Sequence, residues 1–121
     1  VIIPVQCEYL ALEGLGQLVQ TLDKVRKALL PTLTVRGVVM TMYDGRTRLA
    51  ADVVDEVRRF FPNRVFAAVV PRSIRLAEAP SYGQPISVYS PSSSGALAYA
   101  ALAREILAGD GIHIPVMEEK A

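Results

Sequence analysis

The sequence predicts an α/β domain of three layers: a mainly parallel sheet with flanking helices. Three observations predict it. Short apolar runs alternate with amphipathic stretches in the order strand, helix, strand, helix, strand. The connections are short, and such units nearly always build parallel strands covered by helices. Composition agrees: 51% hydrophobic against 21% charged residues over 121 positions suits one folded domain with a single core.

Val1 to Val5 is a continuous apolar run, the pattern of a strand buried on both faces, with Pro4 moving it toward a strand end or an edge. Leu12, Leu15, Leu18/Val19, Leu22, Val25 and Leu29 then recur at helical spacing with polar residues between them. Glu13 near the start and Arg26/Lys27 near the end suit the helix dipole, and Pro31 follows the stop. Val35 to Met42 is the second strand, followed by the polar segment Tyr43-Asp44-Gly45-Arg46-Thr47. Leu49, Val53, Val57 and Phe60/Phe61 mark a second helix, ended by Pro62-Asn63. Val65 to Val70 is the third strand, closed by Pro71.

Beyond Pro71 the pattern loosens. Ile74 to Ala79 predicts one or two helical turns, Pro80 to Pro85 a turn-rich loop, and Ile86 to Tyr89 a short further strand. Ser92, Ser93 or Ser94 offers an N-cap to a last helix, Ala96 to Leu107, closed by Gly109. Its face containing Leu97, Ala100/Ala101, Ile106 and Leu107 is expected on the sheet. Residues 110–121 carry no period and read as a flexible tail, leaving 1–109 as the domain. The chain opens inside an apolar run without an initiating Met, which reads as a fragment.

Composition narrows the function classes. Tryptophan is absent, so an aliphatic core is expected. Cys7, the single cysteine, can form no internal disulfide and reads as a small buried hydrophobe, in keeping with a reducing cytoplasm. No apolar run approaches the roughly 18 residues of a membrane span, and no signal peptide is visible. A net charge of +1 says little about partners, but its distribution says more. From Asp44 to Arg75 there are seven arginines against four acids.

In open α/β sheets, ligands bind beyond the carboxyl ends of the strands. Those ends are Gln6-Cys7-Glu8, Met42-Tyr43-Asp44-Gly45-Arg46 and Pro71-Arg72-Ser73-Ile74-Arg75. No GxxxxGK[ST] or GxGxxG loop occurs to cradle phosphates. Cys7 and His113 are too sparse for a zinc site, and Ser92-Ser93-Ser94 has no neighbouring histidine base. Neither catalytic nor metal-binding residues are expected. Arg58 and Arg59 read as the solvated face of a helix. Arg46 and Arg48, with Arg72 and Arg75, follow adjacent strands and open on one sheet edge. They are either ordinary polar loops or a phosphate-neutralising surface, which would be backbone-directed and largely sequence-independent.

Four segments, IPVQCEYLALEGLGQL (2–18), GVVMTMYDGRT (37–47), VVPRSIRLAEAPSYGQPI (69–86) and YSPSSSGALAYAALAREIL (89–107), carry a family signature. In order and spacing they resemble the C-terminal half of ParA/Soj-type chromosome and plasmid partition ATPases, a deviant Walker A P-loop family. The resemblance spans about residues 1 to 108. It implies a partial P-loop NTPase fold lacking its N-terminal half, where the P-loop and the Mg-binding aspartate belong.

The same resemblance implies a parent that binds ATP and Mg, dimerises under ATP and coats double-stranded DNA non-specifically. It also implies release by a ParB-type centromere-binding protein and a cytoplasmic, nucleoid-associated setting. Thr41, Met42, Asp44, Pro71, Arg72 and Ser73 would flank the adenine. Arg46 and Arg75 match arginines that contact DNA, with Arg48 and Arg72 as possible additional contacts. This chain alone is expected neither to hold nucleotide tightly nor to hydrolyse it. A stand-alone DNA- or ParB-binding module and an inert oligomerising fragment are the alternatives. Departures from the family pattern are Ser73 for the usual Asn, Gln84 for Lys, and Ser90 and Ser92 for an Asp and a basic residue, while Arg48 adds a charge.

Overall fold

A computed structural model of the chain describes residues 1–112. His113 and most of the expected tail lie outside the described residues. Three parallel strands, β1 (Ile2–Gln6), β2 (Gly37–Tyr43) and β3 (Val65–Pro71), form a sheet in the order β1-β2-β3. Helices α1 (Tyr9–Ala28) and α2 (Arg48–Phe60) connect them. After β3 come the short helix α3 (Ile74–Glu78), a 3-10 turn (Ala79–Tyr82), the single-turn helix α4 (Ile86–Tyr89) and the long helix α5 (Ser94–Gly109).

The sheet is the middle layer. On one face Leu15 and Leu22 of α1 and Ala50, Val53, Val54 and Val57 of α2 pack on Ile3, Val5, Val38 and Met40. On the other, Ala98, Leu102 and Ile106 of α5 pack on Val39, Phe66, Ala68 and Val70. Four successive β2 residues, Gly37 to Met40, are buried, as a central strand covered on both sides requires. The three-layer α/β architecture stands as the sequence predicts, and Cys7 is buried within the first core.

Several local expectations are corrected. The β1 run does not bury both faces: Ile3 and Val5 are buried while Ile2, Pro4 and Gln6 are exposed, because α5 covers β3 and β2 but not β1. Ile86 to Tyr89 is α4, not a strand. Pro85 enters it in extended conformation, and Val88, Tyr89 and Ser90 donate their N–H groups back to Pro85 and Ile86, closing the turn.

Helix α1 begins at Tyr9, which leaves Glu13 in its second turn and Leu29 beyond its end, 79% exposed. On α5, Leu97 and Ala100 face outward. That helix is apolar nearly all round, so periodicity could not fix its phase. Its cap is Ser93, whose hydroxyl accepts from the Ala96 N–H. It is closed by Gly111, not by Gly109. Gly111 adopts φ 80° and donates to the Ala108 carbonyl, while the Ile112 N–H reaches Leu107, the paired bonds of a Schellman motif.

The two margins of the sheet are built differently. At β3, the Ala67 N–H donates to both carboxylate oxygens of Glu105, so α5 caps the outer edge of the strand. Arg36, just before β2, donates to the Ile106 carbonyl and to Asp110 at 2.7 Å each, tying down the same C-terminal end of α5. At β1, Val1 and Cys7 use their N–H groups toward β2, so by strand alternation Ile2, Pro4 and Gln6 turn their backbone groups outward. Pro4 falls where its missing N–H costs no bond within the sheet.

Candidate functional site

The three strand ends meet at one edge, as parallel strands dictate. The Cys7 N–H donates to the Thr41 carbonyl and the Arg72 N–H to the Tyr43 carbonyl, both at 2.9 Å, which draws the outgoing loops together. Across the middle strand, Arg72 approaches Glu8 at 3.6 Å.

Below this edge, on the α5 face, lies a cavity of about 580 Å³. Thr41, Met42, Pro71, Arg72 and Ser73 line it together with Pro4, Gln6, Val70, Ile74, Leu76, Ala77 and Tyr99. It exists because α5 stops short of β1. The structure thus brings together five of the six residues expected to flank a base. Asp44 is not among the lining residues and turns instead to the β2–α2 loop. Leu76 and Tyr99 were not foreseen. Tyr99 sits on a helix whose uniform apolarity hid which residues face outward, so the sequence held no signal for it.

Met42 adopts φ 56°, the left-handed region, where a side chain costs about 1–2 kcal/mol. The β2–β3 register breaks between Met40 and Tyr43, at the same place. Backbone held in this way at a cavity wall is a usual companion of ligand sites.

The arginines stand around this edge. In the β2–α2 loop, Asp44 receives three bonds from Arg46: the backbone N–H at 3.1 Å, Nε at 3.0 Å and Nη2 at 3.0 Å. The Arg46 guanidinium, and then its backbone N–H, hold the Asp44 carboxyl down at about 2. Thr47 donates its hydroxyl to the Asp44 carbonyl at 2.9 Å and caps α2 by accepting from the Ala50 N–H. Arg48 is the first residue of α2 and forms no ion pair among the described residues. A cation there opposes the helix dipole, an arrangement that a bound anion would relieve.

Beyond β3, Arg75 approaches Glu78 at 3.7 Å. The Tyr89 hydroxyl donates to the same carboxylate, and Tyr89 stacks edge-on against Tyr82 at 5.0 Å. That hydrogen bond to Glu78 raises the Tyr89 phenol above its usual range. Helix α4 therefore braces the acid that accompanies Arg75.

Burial pushes the Cys7 thiol up, which leaves it protonated and unreactive. Among the described residues no group of three or more His, Cys, Asp and Glu side chains could hold a metal ion. No described helix is long and apolar enough to cross a membrane.

Residues 5–86 match the model of the CobQ/CobB/MinD/ParA nucleotide binding domain. The chain is 49% identical over 110 residues to the chromosome partitioning protein ParA of Myxococcus xanthus, covering 91% of this chain and 39% of that protein. It is 51% identical over 108 residues to the sporulation initiation inhibitor protein Soj of Bacillus subtilis, covering 89% and 43%. The chain thus spans about two fifths of the length of these relatives. Among solved structures it resembles the cobyrinic acid a,c-diamide synthase of Mycobacterium smegmatis with bound ADP and magnesium. There the TM-score is 0.65 and the identity 31%, over 97% of this chain and 41% of that one.

Proposed function

The chain belongs to the CobQ/CobB/MinD/ParA nucleotide-binding domain family, and we propose that it supplies the base-side and DNA-contacting loops of a ParA/Soj-type partition ATPase. One observation carries the reading: the cavity at the strand ends is lined by Thr41, Met42, Pro71, Arg72 and Ser73, and the loops at that edge carry Arg46, Arg48 and Arg75.

The lining fits part of a nucleotide. Pro4, Met42, Val70 and Leu76 offer an apolar wall to a planar base, while Thr41, Ser73 and Arg72 offer polar groups at its rim. The remainder of the nucleotide does not fit these residues. The sequence contains no glycine-rich loop ending in Lys-Ser/Thr, and no described acidic cluster suits Mg. Phosphate and metal would therefore be held by other residues of a whole partition protein, and ATP hydrolysis belongs to that whole. Its ATP-dependent self-association, its ParB-type partner and its place on the nucleoid in the cytoplasm are parts of the same proposal.

For the exposed arginine loops the matching ligand is the phosphate backbone of duplex DNA, read without sequence. Fluorescence anisotropy of a labelled random duplex, at low and moderate salt, tests this on the chain and on an Arg46→Ala/Arg75→Ala variant. The expected result is binding that weakens with salt and is lost in the variant. Absence of binding at low salt, or binding indifferent to the two substitutions, would overturn it.

A further inference from the structure

The arginines at the strand ends are not equally available. Arg72 and Arg75 stand at 3.6 and 3.7 Å from Glu8 and Glu78, loose contacts that a competing anion can displace. Arg46 is held otherwise. Its Nε donates to one oxygen of Asp44 and its Nη2 to the other, so a carboxylate two residues away fills the fork of the guanidinium. That fork is the face a phosphate would take, since both anions are recognised by the same pair of parallel N–H bonds. The side chain is 88% exposed, so nothing but Asp44 stands between Arg46 and a ligand.

We propose that Asp44 is an internal competitor for duplex DNA: its carboxylate occupies Arg46, and DNA binds the β2–α2 loop only by displacing it. The inference rests on the DNA-contacting reading above and adds a regulation of the same surface. The loop geometry makes the two roles of Asp44 separable. Its Oδ1 accepts from the Arg46 backbone N–H, and its main-chain carbonyl holds Thr47 at the start of α2. An asparagine keeps both of these bonds. It replaces the second oxygen by an amide NH2, which cannot accept from Nη2, and removes the charge. Asp44→Asn should therefore keep the turn and loosen the guanidinium, leaving only Nε a neutral acceptor at Oδ1. The depressed Asp44 carboxyl fits this picture, with Arg46 as the main cause and the charge of Arg72 a lesser one.

The test is duplex-DNA anisotropy on the chain, on Asp44→Asn, on Arg46→Ala and on the double variant. Asp55→Asn, an exposed change of equal charge on α2, is the control. Releasing an exposed pair should tighten binding by about two- to fivefold. The slope of log K against log salt should hardly change, because Arg46 meets the same phosphate in both complexes. The gain should vanish when Arg46 is alanine and be absent from Asp55→Asn. A carbon-13 titration of Asp44 reads the clamp itself: the carboxyl at about 2 should return toward the ordinary range in Arg46→Ala.

A gain that persists without Arg46, an equal gain in Asp55→Asn, or an Asp44 titration indifferent to Arg46 overturns the competition while leaving the DNA reading intact. Failure of all chains to bind duplex at low salt overturns the DNA reading, and the competition with it. Thermal melts of each variant confirm that folded protein is compared.

Discussion

The two margins of the sheet share a backbone geometry and differ in finish. At β3 the outward N–H of Ala67 is capped by Glu105, Phe66 and Val70 are covered by α5, and Arg36 pins that helix at the neighbouring Ile106. Among the described residues the outward row at β1 is uncapped, Ile2 is 44% exposed, and neighbouring Leu10 on α1 is 73% exposed. The candidate cavity lies between these two conditions, where the cover of α5 runs out. A sheet sealed on one side and open on the other gains a concave site without any loop being shaped for it. The same openness leaves apolar surface that further structure could cover.

The contrast is sharpest for two positions on one sheet face. Val39 lies beneath α5, while Ile2, on β1 beside Gly37, is uncovered among the described residues. Val39→Asp should lose about 4 kcal/mol or more through a buried, unpaired charge, a large share of the roughly 5–15 kcal/mol that holds an ordinary domain folded. Ile2→Asp should stay within about 0.5 kcal/mol. Urea midpoints of the two variants measure the difference, and a costly Ile2→Asp would mean that the β1 margin is covered after all.

A smaller effect is expected inside the finished margin. A Cβ on Gly37 would lie 2.3 Å from the Phe66 ring, so Gly37→Ala forces the ring aside at about 1–3 kcal/mol. Adding Phe66→Leu should recover most of that loss in thermal melts. If it recovers nothing, backbone conformation and not the ring sets the requirement for glycine.

Smallest of all, Glu105→Ala should cost about 1 kcal/mol, since Ala67 is exposed and water can replace the lost acceptor. Its clearer sign would be faster amide hydrogen exchange at Ala67, with β2 amides unchanged. An unaltered Ala67 rate would show that the cap contributes nothing.

Much of this was legible in the chain. Strand, helix, strand, helix, strand could be read because α2 repeats its apolar residues at helical spacing and β2 is apolar without interruption. The strand-end rule then led to Met42, Pro71, Arg72 and Ser73, and the family resemblance added Thr41 and the base-side role. What escaped depends on tertiary context. Ile-Ser-Val-Tyr at 86–89 has strand propensity, but the edge it could have joined is taken by Glu105, and Pro85 offers its carbonyl to close a helical turn. The phase of α5 escaped because a helix apolar all round announces no face. The placement of Asp44 escaped because an acid before a turn looks alike whether it serves the backbone or holds a neighbouring guanidinium.

Met42 carries one further consequence, for the unfolded chain. A glycine there would escape the left-handed penalty of about 1–2 kcal/mol, yet would enlarge the disordered ensemble at a cost of about 0.5–1 kcal/mol. The two changes nearly cancel. Thermodynamic stability is thus a weak filter on which residue occupies this position, and the side chain is free to be chosen by whatever the cavity must hold.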